Sequence, residues 1–125
     1  MERPYKSLDV WNLSMELVVD VFRATRNFPR KEFFGLVQQI QRSAVSIPSN
    51  IAEGYGRQNL REFRQFLKIA RGSLDELYTQ LEIAKRLGYL KDDEFKLLDE
   101  KMDRVCRMLT GLIKHQNQKL EQKGG

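Results

Sequence analysis

Apolar side chains recur at spacings of three and four from Leu8 almost to the end of the chain, the period of a helix rather than of a strand. In the first segment Leu8, Trp11, Met15, Val18, Phe22 and Thr25 form one row. A second row runs beside it through Val10, Ser14, Leu17, Val21, Ala24 and Phe28. Pro29 ends this helix, since a proline has no N–H to donate, and its fixed φ suits the start of the next. The second helix places Leu36, Ile40, Ala44, Ile47 and Ile51 on one face. Pro48 lies inside that pattern and predicts a kink. Gly54-Tyr55-Gly56 predicts the helix end, with a glycine in the left-handed cap conformation. Asn59 and Glu62 then have the spacing of a capping box.

The third helix has the most regular pattern. Leu60, Phe63, Leu67, Ala70, Leu74, Leu77, Leu81 and Ala84 alternate spacings of three and four without a slip. Such a seam suits shallow packing angles in a bundle. Gly88 ends it, and Asp92 is the expected cap of a fourth helix whose seam is Phe95, Leu98, Met102, Val105, Leu109 and Leu112. The polar stretch Gln116 to Gly125 is expected to fray. Short connections predict an all-α fold: an antiparallel up-down-up-down four-helix bundle with long helices, a single domain over 1–125 with its body at about 5–115. The doubled row on the first helix, with Phe66, Ile69 and Ile83 beside the third seam, has two explanations. It is either a generous core filled by Trp11 and Phe22 or a surface that meets another subunit.

Composition removes whole classes of function. The 125 residues are 41% hydrophobic and 31% charged, which fits one globular domain and no disordered tail. No stretch approaches the ~18 apolar residues of a membrane span, so no membrane partner is expected. The segment from Met1 to Lys6 lacks the apolar run of a signal peptide. Cys106 is the one cysteine, so no intrachain disulfide can form and a reducing, cytoplasmic setting is expected. With His115 the one histidine, a His/Cys metal site or a nucleophile–histidine pair has nothing to be built from. The Gly54-Tyr55-Gly56 turn lacks the Lys-Ser/Thr of a phosphate loop, and pairs such as Asp75 and Glu76 read as helix-surface carboxylates. No enzyme, catalytic residue, metal or cofactor is expected.

Two charge patterns remain. Gln39, Arg42, Ser46, Asn50 and Glu53 form a polar row directly beside the apolar face of the second helix. It is either a solvated boundary or a satisfied network inside the bundle or at a subunit contact, with Arg42 and Glu53 as its charged ends. On the third helix Arg57, Arg61, Arg64, Lys68 and Arg71 line one flank of the seam, while Phe66, Ile69 and Ser73 line the other. Arginines in the first turns oppose the helix dipole, so helix stability does not explain them. The stripe is either a face neutralised by a neighbouring helix or a phosphate-tracking surface. The net charge of +5 permits a nucleic-acid partner.

The order of motifs carries a resemblance. Phe28-Pro29, Gly35-Leu36, Gln39-Ile40, Arg42-Ser43-Ala44, the run Ser46 to Arg57 with its Asn50-Ile51-Ala52-Glu53-Gly54 core, Phe66-Leu67, Gly72-Ser73, Glu76-Leu77 and Leu87-Gly88-Tyr89 follow one another. Over about Tyr5 to Ile113 the chain resembles the four-helix bundle family encoded in intervening sequences of bacterial 23S rRNA genes. The resemblance implies a ring-like homopentamer, often of undetermined function, and weights the polar row toward a structural network. The fold is also similar to the accessory variability protein of diversity-generating retroelements, a basic pentamer that binds nucleic acid. The expected function is a non-enzymatic, homo-oligomeric binding module associated with RNA or DNA through the basic stripe. The alternative is a scaffold that recruits a protein and has no nucleic-acid role.

Overall fold

The computed structural model describes residues 2–124; Met1 and Gly125 lie outside them. Four helices, α1 (Asp9–Thr25), α2 (Leu36–Gly56), α3 (Leu60–Arg86) and α4 (Asp92–Gly124), pack around one core. Short 3₁₀ turns at Pro4–Ser7 and Arg30–Glu32 precede α1 and α2. No strand occurs among the described residues, and the four-helix bundle expected from the periodicity is the fold observed.

The seam of α3 is buried from Phe63 to Ala84, as its spacing requires. On α1 the core takes the second of the two apolar rows: Val10, Ser14, Leu17 and Val21 are buried, with Leu13 and Thr25 added to them. Polar atoms in that row are met locally. The Ser14 hydroxyl donates to the Trp11 carbonyl at 2.8 Å and that of Thr25 to Phe22 at 3.1 Å. The rest of the first row stays outside or at the margin, with Trp11 and Val18 half-buried and Met15 and Phe22 exposed. The fourth seam drifts as a 3.6-residue helix must against a 3.5-residue repeat: Ile113 rather than Leu112 is buried, and then Gln116.

Several helix ends depart from expectation. α2 runs unbroken through the buried Pro48 and includes both Gly54 and Gly56. The left-handed residue after it is Gln58, at φ 55, not a glycine. Gly54 serves packing instead: a Cβ there would stand 2.5 Å from the Phe66 Cβ, so α2 and α3 approach closely at this turn. Asn59 does cap α3, its side chain accepting from the Glu62 amide at 3.0 Å. At the other end Gly88 takes φ 83 and donates to Lys85, while the Tyr89 amide reaches back to Ala84 at 2.9 Å. This closes the helix by a paired hydrogen-bond motif. Lys91, not Asp92, holds the cap position of α4, where Glu94 reaches back to its amide at 3.0 Å. Asp92 instead joins Asp93 and Glu94 in the first turn, where the dipole favours acids. The stretch 116–124, expected to fray, continues α4 as helix with Gln116 buried.

Contacts between helices set their directions. Gly54 meets Phe66 and Ser46 meets Ser73, so α2 and α3 run opposite ways; Arg64 with Asn117 and Lys85 with Phe95 do the same for α3 and α4. Lys101 joins α4 to Asp20 of α1 at 2.6 Å. The Tyr89 hydroxyl donates to Glu32 at 2.7 Å, tying the α3–α4 turn to the start of α2, and that bond holds the Tyr89 pKa above its ordinary value. No helix is long and apolar enough to cross a membrane among the described residues.

Candidate nucleic-acid interface

The rotation of α3 within the bundle gives its two flanks different neighbours. Phe66 packs on Gly54, and the Ser73 hydroxyl meets that of Ser46 at 2.8 Å, so this flank faces α2. The basic flank therefore turns toward α4, where Arg64 Nη1 donates to the Asn117 side chain at 2.9 Å. Arg61, Lys68 and Arg71 share that flank, Arg71 half-buried and the other two exposed. No carboxylate of the described residues lies within 4.0 Å of any of these four cations. On α4, Asp103 is taken up by Arg107 at 2.8 Å, and from Arg104 to Leu120 the helix carries no further Asp or Glu, the next acid being Glu121. Lys114 lies one turn before Asn117, on the same side of α4. The two helices thus form one basic band.

Arg57 does not belong to this band. It precedes α3, pairs with Glu53 at 3.0 Å and Glu62 at 3.9 Å, and stacks over the Phe66 ring at 5.3 Å. Its charge is answered locally. Helical spacing alone does not reach it, because the chain between α2 and α3 is not helical at Gln58 and Asn59.

The polar row of α2 also divides. Ser46 and Asn50 are half-buried and linked, the Asn50 amide donating to the Ser46 carbonyl at 2.8 Å and hydroxyl at 2.9 Å. With Ser73 they form a small satisfied network between α2 and α3. Gln39, Arg42 and Glu53 stand outside it, exposed; Glu53 pairs with Arg57, and among the described residues no ion pair joins it to Arg42. The row expected as one network is therefore a three-residue contact flanked by solvated charges. Ser73 was the member that sequence could not supply, since it lies on another helix.

Among the described residues no three His, Cys, Asp or Glu side chains gather where they could hold one ion. His115 and Cys106 both lie on α4, His115 exposed and Cys106 half-buried.

Comparison with known proteins gives a family and a fold. No curated protein matches the chain. Among solved structures it is similar to a protein of unknown function from the S23 ribosomal protein family of Bacteroides thetaiotaomicron. The two are 25% identical with a TM-score of 0.77, over 84% of this chain and 95% of that one. Residues 6–111 match the family described as 23S rRNA-intervening sequence protein. That match takes in all of the first three helices and more than half of the fourth, including the asparagine-to-glycine segment of α2 and the start of the basic band. The chain belongs to the 23S rRNA-intervening sequence protein family.

Proposed function

We propose that this protein is a non-enzymatic binding module for nucleic acid, RNA in the first place, acting as a ring-like homopentamer in the cytoplasm. The observation that carries the reading is the band formed by Arg61, Arg64, Lys68 and Arg71 beside a stretch of α4 without acids. A scaffold surface would be expected to neutralise such a row, because unpaired like charges repel at short range. Phosphates do the neutralising in the reading offered here, and arginine meets them bidentately. Self-assembly is supported by the exposed α1 row, where Met15 is 39%, Val19 44% and Phe22 38% exposed. Phe22 and Val45 border one shallow depression with Arg42, so the solvated end of the polar row would lie at such a contact. A ring repeats the band once per subunit, and weak contacts then add through avidity.

Fluorescence anisotropy with a labelled structured RNA tests the reading. Binding at low-micromolar protein and low salt is expected. Absence of binding there leaves the protein-recruiting scaffold as the better account.

A further inference from the structure

One end of the bundle is open. There the Pro4–Ser7 turn, the end of α2, the start of α3 and the last part of α4 border a half-open cavity of about 740 Å³. A cavity of that size falls in the range of roughly 300–1,000 Å³ that encloses a small molecule. Its walls are mostly apolar, with Tyr5, Leu8, Tyr55 and Leu112 half-buried against it. Three of the lining residues are aromatic, and their rings are held by neighbours. Tyr5 meets Trp11 edge-on at 5.2 Å, and Tyr55 meets Phe63 at 5.5 Å and 80°.

The polar part is equally particular. Gln116 lines the cavity at 3% exposure, and its side-chain oxygen is buried and meets no donor among the described residues. Arg3 and Lys119 stand at the lining against a single carboxylate, Glu2. The positive end of the 27-residue helix α3 points to the same corner. Gln58, Asn59 and Leu60 border both this cavity and a shallower one formed with Arg61 and Lys123, so the basic band leads to its mouth.

We propose that this cavity takes one unstacked nucleotide, its base among Tyr5, Tyr55 and Phe63 and its phosphate toward Lys119, Arg3 and the start of α3. The proposal rests on the nucleic-acid reading and extends it: the band holds the backbone, and an unpaired residue of the same RNA fills the cavity. Aromatic faces accept any base by stacking, and a side-chain amide suits the donor and acceptor groups of a base edge. An unpaired base enters at least cost because it has little stacking to lose.

The test uses an RNA hairpin with a single bulged 2-aminopurine, the same hairpin with that base paired, and free 2-aminopurine ribonucleoside monophosphate. Wild-type protein is expected to bind the bulged hairpin about tenfold more tightly than the paired one. Tyr55→Leu is expected to bring the two to parity while leaving the paired affinity unchanged. Tyr5→Leu, in a turn rather than a helix, repeats the measurement if Tyr55→Leu fails to fold. Equal affinities in wild type would overturn the cavity and leave the band in place. If neither hairpin binds, the nucleic-acid reading fails. The free nucleotide then decides: binding lost in Tyr55→Leu keeps the cavity as a mononucleotide site, and no binding overturns it as well.

Discussion

Gly54 and Gly56 stand one turn or less from the end of α2, and only one of them is under steric demand. A methyl group on Gly54 would meet the Phe66 Cβ at 2.5 Å, a contact between two parts of the main framework that neither helix can easily relax. Nothing lies within 4 Å of the corresponding position on Gly56. Gly54→Ala should therefore destabilise the protein by about 1–3 kcal/mol, the usual cost of overpacking. Gly56→Ala should fall within about 0.5 kcal/mol of wild type or slightly above it, since alanine is the better helix former. Urea denaturation midpoints of the two variants check this, and equal midpoints would show that the α2–α3 approach is not tight. Sequence assigns a cap to one glycine of this pair because it shows a breaker near a helix end but not the distance to a second helix. That distance separates the two roles.

At the scale of elements, periodicity carried most of the information. The α3 seam was legible from Phe63 to Ala84, because a long helix with one apolar stripe has a single way to face a core. α1 was not legible in the same way. Two adjoining rows offered two possible rotations, and the bundle chose the row of Val10, Leu17 and Val21 over that of Met15 and Phe22. The polar row of α2 divides within the chain for a related reason. A hydrogen-bond partner on another helix depends on register and rotation between helices, which spacing along one helix does not encode. Ser46 and Asn50 found Ser73, while Arg42 stayed exposed and Glu53 paired with Arg57 at the surface. Ser73→Ala should cost about 1 kcal/mol, the worth of one partly buried hydrogen bond. In the same thermal or chemical melts Arg42→Ala and Glu53→Ala should each stay within about 0.5 kcal/mol for the isolated chain. A large loss for Arg42→Ala alone would place it in an interface between subunits.

For the whole molecule, the proposed function rests on surface chemistry. The band was readable as spacing on α3, but its acid-free partner stretch on α4 and the exclusion of Arg57 required the packed structure. The end cavity was least legible, since Tyr5, Tyr55, Phe63 and Gln116 come from four separate parts of the chain. One signal was present: Gln116 continues the α4 seam after Leu109 and Ile113, a polar residue at a core position. Self-assembly is tested by light scattering behind a sizing column. A mass five times that of the chain is expected at micromolar concentration, with each contact burying above roughly 1,000 Å² in total. A monomer mass would contradict the ring and make the exposed α1 row an ordinary surface.

The central claim is that the α3–α4 band meets phosphates. Binding of that kind displaces condensed counterions, so the logarithm of affinity falls linearly with the logarithm of salt concentration. The direct measurement is that slope for a structured RNA, in wild type and in Arg61→Gln/Arg64→Gln/Lys68→Gln, with melts confirming that the variant is folded. Removing three phosphate contacts should make the slope shallower by about 2–3, at up to about 0.9 per contact, and should weaken binding to unrelated RNA sequences by similar factors. A slope unchanged in the triple variant would contradict the claim.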